Sequence, residues 1–149
     1  MTPLYIFDLD GTLSITGHRQ HLLEGDSPDW DAFFEACEYD DPNTPVINTL
    51  KTLRMSGADI YIWSGRSSAV RKKTYKWLYD HDVLDCVMDI KMRKDGDFTP
   101  DDELKKQWLN DLIERDEQRL VAIFDDRDKV VEMWRSQGIA CFQVERGSF

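Results

Sequence analysis

The stretch Leu4-Tyr5-Ile6-Phe7-Asp8-Leu9-Asp10-Gly11-Thr12-Leu13 decides how this chain is read. Its first four residues form an apolar run of strand length. The run ends in two carboxylates two residues apart, followed by a glycine. Along an extended backbone, side chains at i and i+2 lean to the same side, so Asp8 and Asp10 face one way. One carboxylate can act as a nucleophile while the other moves protons. A carboxylate that attacks phosphorus forms an aspartyl-phosphate. Gly11 allows a sharp turn and lets a phosphate come close to the backbone. A bare Asp-x-Asp also ends many ordinary strands, so the weight rests on the whole string.

Outward from this stretch, strand patterns alternate with helix patterns. Residues 11–42 are the least regular part, a cap-like insertion after strand one. They contain a short amphipathic helix around 29–38, with Trp30, Phe33, Phe34 and Cys37 at helical spacing. Asn43 or Thr44 can cap a second helix that carries Pro45 in its first turn and stops at Gly57. Strands are expected at 58–63, 87–90, 119–124 and 139–144. Helices are expected at 67–80, from Thr99 to about Glu114, and at 129–137. This order predicts an α/β fold, a Rossmann-like parallel sheet with helices on both faces. Ligands of such sheets gather at the carboxyl ends of the strands. Asp8, Ser64-Gly65-Arg66 and Asp125-Asp126, remote in sequence, should therefore converge at one edge.

At 149 residues the chain is expected to be a single domain. With 41% hydrophobic and 32% charged residues it reads as globular. Cys37, Cys86 and Cys141 are scattered without metal-ligand spacing, which suits reduced thiols in a cytoplasmic setting. No run approaches the roughly 18 apolar residues of a membrane span, and no leader-type apolar segment opens the chain. The net charge of −10 speaks against a broad nucleic-acid surface, although part of it is accounted for if several aspartates hold a cation. Positive charge is local: Arg66, Arg71, Lys72, Lys73 and Lys76 form one cluster, and Lys91, Arg93 and Lys94 another. Such runs are either solvated faces or contacts for phosphates. Tyr75 and Trp77, interleaved with the first cluster, are either packing residues or platforms for bases.

Three further signals bear on chemistry. Ser64 and the following amides stand where a strand meets a helix start, a favoured place for an anion. Lys91, Lys105 and Lys106 are each able to neutralise a phosphate. Asp125-Asp126 follows an apolar strand, and consecutive side chains diverge, so the two should differ in role. Oxygen ligands of this kind suit Mg²⁺, and do not separate it from Mn²⁺.

The string from Phe7 to Leu13, with Ser64-Gly65-Arg66 and Phe124-Asp125-Asp126, resembles the motifs of the haloacid-dehalogenase-like (HAD) phosphohydrolases. Over nearly the whole chain it also resembles the 3′-phosphatase domain of bacteriophage-type polynucleotide kinase/phosphatases. Gly17-His18-Arg19 and the long segment from Phe124 to Arg135 carry that likeness, together with Gly138 to Val144. The resemblance implies Asp8 as nucleophile, Asp10 as general acid and base, and Lys105 as the neutralising lysine. It implies Mg²⁺ held by Asp8, the Asp10 backbone carbonyl and Asp125, with Asp126 on bound waters. It implies substrate contacts from Arg19, Ser64, Gly65, Arg66 and Asp101; Asp101 and Lys105 also stand at i and i+4, so the two can pair. The implied substrates are 3′-phosphorylated DNA or RNA ends and nucleoside 3′-monophosphates, in nucleic-acid repair, with a phage source and host cytoplasm as the setting. The chain has no Gly-x-x-x-x-Gly-Lys-Ser/Thr, so no kinase domain is expected. Two readings compete with end-healing: a HAD phosphatase of small molecules such as nucleotides, and a catalytically silent binding module.

Overall fold

The alternation in the first strand sets the two faces of the sheet. In the computed structural model, which describes residues 1–149, β1 spans Leu4–Phe7. Leu4 and Ile6 point into one apolar cluster and Phe7 into another. The chain continues through β2 (Ser14–Ile15), α1 (Trp30–Glu35) and β3 (Asp41–Pro42). Then follow α2 (Thr44–Met55), β4 (Asp59–Ser67), α3 (Arg71–Asp80) and β5 (Asp89–Arg93). It closes with α4 (Asp101–Asn110), α5 (Glu114–Arg119), β6 (Leu120–Arg127), α6 (Asp128–Ser136) and β7 (Cys141–Gly147).

Five strands form one sheet in the order β5-β4-β1-β6-β7, and every neighbouring pair is parallel. Leu4, Ile6, Trp63 and Ile123 on one face pack against Leu104, Trp108 and Leu109 of α4 and Val130, Val131 and Trp134 of α6. On the other face Phe7, Ile60 and Ile62 pack against Ile47 and Leu50 of α2 and Trp77 and Leu78 of α3. The α/β reading with helices on both faces holds. Three tryptophans fill the first cluster, with Trp63 lying 6.0 Å from Trp108 and 5.9 Å from Trp134 between ring centroids.

Several boundaries differ from expectation, each for a local reason. β4 and β6 run on through the site motifs to Ser67 and Arg127, because shifts of register let the strands stay paired past Ser64 and Asp125. Lys91 and Arg93 lie in β5 rather than in a loop, with the Lys91 ammonium over the Trp63 ring at 5.5 Å. Thr99 does not cap α4; its hydroxyl donates to Asp97 at 2.6 Å. The helix stops at Asn110, and α5 occupies the stretch before β6. There Arg119 bonds Asp116 at 2.7 Å and Asp59 at 2.6 Å, stitching the amino edge of the sheet. Within residues 11–42, Ser14-Ile15 pairs antiparallel with Asp41-Pro42, a small hairpin base with no sequence signal.

Two of the four cations on the basic helix are ion-paired. Lys73 pairs with Glu35 at 2.7 Å and Glu38 at 3.3 Å, and Lys76 with Asp80 at 2.6 Å. Trp77 is buried and donates its indole N–H to the Asp40 carbonyl at 2.8 Å. Trp77 is therefore a packing residue and not a platform for bases, and Lys73 and Lys76 are committed to ion pairs. All three cysteines are free thiols, and no helix is long and apolar enough to cross a membrane.

Candidate active site

Asp8 follows the last residue of β1 on the face that Leu4 and Ile6 share. Asp125 continues the same face of β6 after Ile123, and Lys105 reaches in from α4 above that face. The outcome is a contact across 97 residues: the Lys105 ammonium donates to Asp8 Oδ1 at 2.9 Å and to Asp125 Oδ2 at 3.1 Å. Trp134 donates to the same Asp125 oxygen at 3.2 Å, and Thr12 to Asp8 Oδ2 at 3.3 Å. Carboxylate oxygens of Asp8, Asp125 and Asp126 all lie within 4.8 Å of one another, and all three residues are buried. Gly11 is required here twice. Its φ of +77° suits only glycine well, and a β-carbon there would collide with the Asp126 carboxylate.

Three carboxylates thus face one ammonium. Burial pushes Asp8 well above the usual carboxylate range and Asp125 adds to this, against the pull of Lys105. Asp126 is pushed up to about 6, chiefly by burial. Lys105 is itself buried, yet Asp125 and Asp8 overcome that cost and hold its pKa well above the ordinary lysine value.

Asp10 sits in the opposite environment. Its Oδ1 accepts from Arg19 Nη2 at 2.7 Å and from Arg66 at 2.9 Å (Nε) and 2.7 Å (Nη2). Both guanidinium groups also reach Asp40 Oδ2, at 2.6 Å from Arg19 and 3.1 Å from Arg66. Burial alone would raise the Asp10 carboxyl; Arg66 and then Arg19 carry it down to about 2. Arg19 and Arg66 are fully buried behind Asp10. As positioned, they hold this carboxylate instead of presenting themselves to a ligand.

Other sequence-derived candidates differ in placement. Ser64 is fully buried and its hydroxyl accepts the Arg66 amide at 3.1 Å, so it orders the strand end. Gly65 lines the open cleft together with Asp8, Asp10, Asp101 and Asp126. A β-carbon on Gly65 would strike Asp101, so the glycine is what lets that carboxylate stand there. Asp101 does not pair with Lys105: it pairs with Arg93 at 3.3 Å and Arg127 at 3.7 Å, while Lys105 is committed to Asp8 and Asp125. The Asp10 side chain lies outside the trio of Asp8, Asp125 and Asp126.

This geometry can be set beside known proteins. The family described as the polynucleotide kinase PNKP phosphatase domain matches residues 2–149. The chain belongs to that family. A protein of Autographa californica nuclear polyhedrosis virus, named as a bifunctional polynucleotide kinase/RNA ligase, is 31% identical over 134 residues, covering 86% of this chain and 17% of the relative. A chain in the structure titled Pnkp1/Rnl/Hen1 complex superposes with a TM-score of 0.81 at 33% identity, over 99% of this chain and 48% of that one. The class C acid phosphatase of Bacillus anthracis shares the fold alone, with a TM-score of 0.63 at 20% identity over 87% of this chain and 53% of that one. The chain spans about half or less of the PNKP-type relatives it matches. It is a HAD-type phosphatase domain.

Several partners in the phosphatase site carry no sequence signal. Asp40, fully buried in its side chain, accepts from His18, Arg19 and Arg66 and so closes the Asp10 cluster from behind. In the sequence it is one member of an acidic run, and its contacts span 21 and 26 residues. Arg93, read as part of a run that is either a solvated face or a phosphate contact, donates to the Gly65 carbonyl at 2.8 Å and to the Thr99 carbonyl at 2.6 Å, fixing both the strand end and the approach to α4. Arg127 bonds the carbonyl of Phe149 at 2.7 Å, drawing the last residue to the cleft rim.

Proposed function

We propose that this domain removes 3′-phosphates from nucleic-acid ends, in a Mg²⁺-dependent reaction that passes through a phosphorylated Asp8. The observation that carries the reading is the placement of Asp8. Its carboxylate stands at the end of a central strand, lines the cleft, and has one oxygen fixed by Lys105. Family membership supports the polynucleotide substrate, and the viral relative named as a polynucleotide kinase/RNA ligase supports a place in end repair.

The residues fit a hard divalent cation. Asp8, Asp125 and Asp126 offer only oxygen, and burial, with neighbouring carboxylates adding to it, raises two of these carboxyls; a divalent cation would bring the local charge to neutrality. When bound, it would supply charge neutralisation for the phosphoryl oxygens. The protein's own groups do the rest. Asp8 attacks phosphorus, the ester P–O bond breaks, and Lys105 balances the charge that develops. The 3′ oxygen takes a proton from Asp10, and Asp10 then takes one from the water that hydrolyses the aspartyl-phosphate. Asp10 is held ionised in the ligand-free state, so before it can donate it must take up a proton from solvent, which requires the substrate to draw Arg19 or Arg66 away from it. That exchange would also supply the substrate contacts expected of the two arginines.

The test is phosphate release with Mg²⁺ from matched 3′-phosphate and 5′-phosphate oligonucleotides, with a nucleoside 3′-monophosphate and an EDTA control. Release from the 3′-phosphorylated oligomer, blocked by EDTA and much faster than from its 5′ counterpart, is expected. Rapid release from the mononucleotide with little from the oligomer would move the domain to the nucleotidases.

A further inference from the structure

The cleft over Asp8 has two unlike sides. Its acidic part, the floor, has Asp8, Asp10, Asp101 and Asp126; its apolar part, the wall, has Leu23, Trp30, Phe33, Phe34 and Phe149. Three of the wall residues lie on α1. Trp30, Phe33 and Phe34 lie 5.8 Å apart in every pairing, edge-on or tilted. Asp29 accepts from the Ala32 amide at 3.0 Å and fixes the start of that helix.

The wall is also tied to the reaction centre. Phe33 is buried beneath the Arg19 guanidinium, at 4.2 Å from Cζ to the ring centroid, and its carbonyl accepts from Arg19 at 3.0 Å. Arg19 in turn holds Asp10. Phe34 packs against the Cys37, Val70 and Met92 cluster. Trp30 is different: it remains 40% exposed although it lines the cleft. The Arg19 contact accounts for Phe33 and cluster packing for Phe34, and the Trp30 face stays open.

We propose that Trp30, backed by Phe34, is the stacking platform for the nucleobase of the 3′-terminal nucleotide. The inference rests on the phosphatase reading above and names how that site selects its substrate. An occupant must bring a phosphate to an acidic, cation-seeking floor and a flat uncharged group to an aromatic wall. A terminal nucleotide carries both on one sugar. Stacking uses the π-face that every base has, so the platform accepts any of the bases and disfavours ends that lack one. Selection for a nucleotide end then comes from the insertion after β1, while the chemistry comes from the sheet edge.

The test uses two matched oligonucleotides with a 3′-phosphate, one with an ordinary terminal base and one abasic at that residue. Wild-type protein is expected to favour the base-bearing end about tenfold in kcat/KM, mostly through KM. In Trp30→Ala the ratio should collapse to near one, and Trp30→Phe should restore most of it. Equal wild-type rates on the two ends, or an undiminished ratio in Trp30→Ala, would overturn the platform. Binding is read separately in the Asp8→Asn background with 2-aminopurine as the terminal base. Its emission should be quenched with Trp30 present and recover at saturating Trp30→Ala protein. Quenching that survives the substitution counts against the platform whether or not turnover is seen. Absence of release from both ends by the wild type, with quenching intact, would instead defeat the phosphatase reading.

Discussion

Asp8 and Asp10 are two residues apart, line the same cleft, and are driven in opposite directions. Asp8 is buried, shares its surroundings with Asp125 and Asp126 and has Lys105 as its one cation, so burial first and Asp125 second raise its carboxyl. Asp10 is held by two arginines backed by Asp40, so its carboxyl falls to about 2. The first environment is short of positive charge and stores electrostatic strain that a cation and a phosphate can relieve. The second is balanced within the protein. A nucleophile that must meet a metal and a phosphate, and a proton carrier that must keep its orientation, call for these two environments.

The sharpest way to break the comparison is to neutralise each acid in turn. Asp8→Asn should lower turnover at least about 10⁴-fold, since nothing else can form the covalent link. Asp10→Asn should lower it by about 10²–10⁴-fold, the usual range for a lost proton-transfer group. Both proteins should keep the wild-type circular dichroism spectrum. Full activity in either would remove its assigned role.

Asp40→Asn probes the balanced cluster from behind. Two buried guanidinium groups would share one carboxylate fewer, so chemical denaturation should show a loss of about 3 kcal/mol. Activity should fall as well, because Asp10 would lose its fixed orientation. A stability within error of wild type would mean that the pairing with Asp40 contributes little.

The crowded cluster should respond with the opposite sign. A carboxyl whose folded pKa is raised stabilises the fold below its unfolded value of about 4, and that contribution is lost as pH rises through its folded value. For Asp126, pushed up to about 6, metal-free protein should lose stability between about pH 4 and pH 6. Asp126→Asn should then be more stable than wild type by about 1–3 kcal/mol at pH 8, and no more stable at pH 4. Mg²⁺ should raise the Tm of wild type and raise that of the variant far less.

The smallest effect is expected at the other edge of the sheet. The Asp116 carboxyl is lowered: burial opposes this, but the bonds from Arg119 and Tyr61 prevail. A lowered carboxyl contributes above its unfolded value and loses that contribution as pH falls through its folded one. Asp116→Asn should cost about 1 kcal/mol at pH 7, with the difference fading below about pH 4.

The readable parts of this molecule are those where local pattern and tertiary position agree. The alternation of Leu4, Ile6 and Asp8 announces both the strand and the face on which Asp8 emerges. The apolar run before Asp125 does the same for β6. Lys105 was one of three lysines until a family likeness chose it, because nothing in its own helix records a partner 97 residues away. Asp40 was invisible for the same reason. Arg19 and Arg66 were legible as site residues but not as the clamp on Asp10, since an arginine's reach leaves its partner undetermined. The pairing of Asp101 with Lys105 failed because helical spacing permits a contact without selecting it over a stronger one. Trp30 read as one more apolar position in an amphipathic turn, and only its exposure in the folded chain separates it from Phe33.

The central claim, that Asp8 carries the phosphoryl group, is tested most directly by rapid quench of the wild-type protein with an oligonucleotide bearing a labelled 3′-phosphate. The account predicts label on the protein within the first turnover, released by hydroxylamine and absent from Asp8→Asn. Phosphate release without any protein-bound label, or equal labelling of the Asp8→Asn protein, would contradict it.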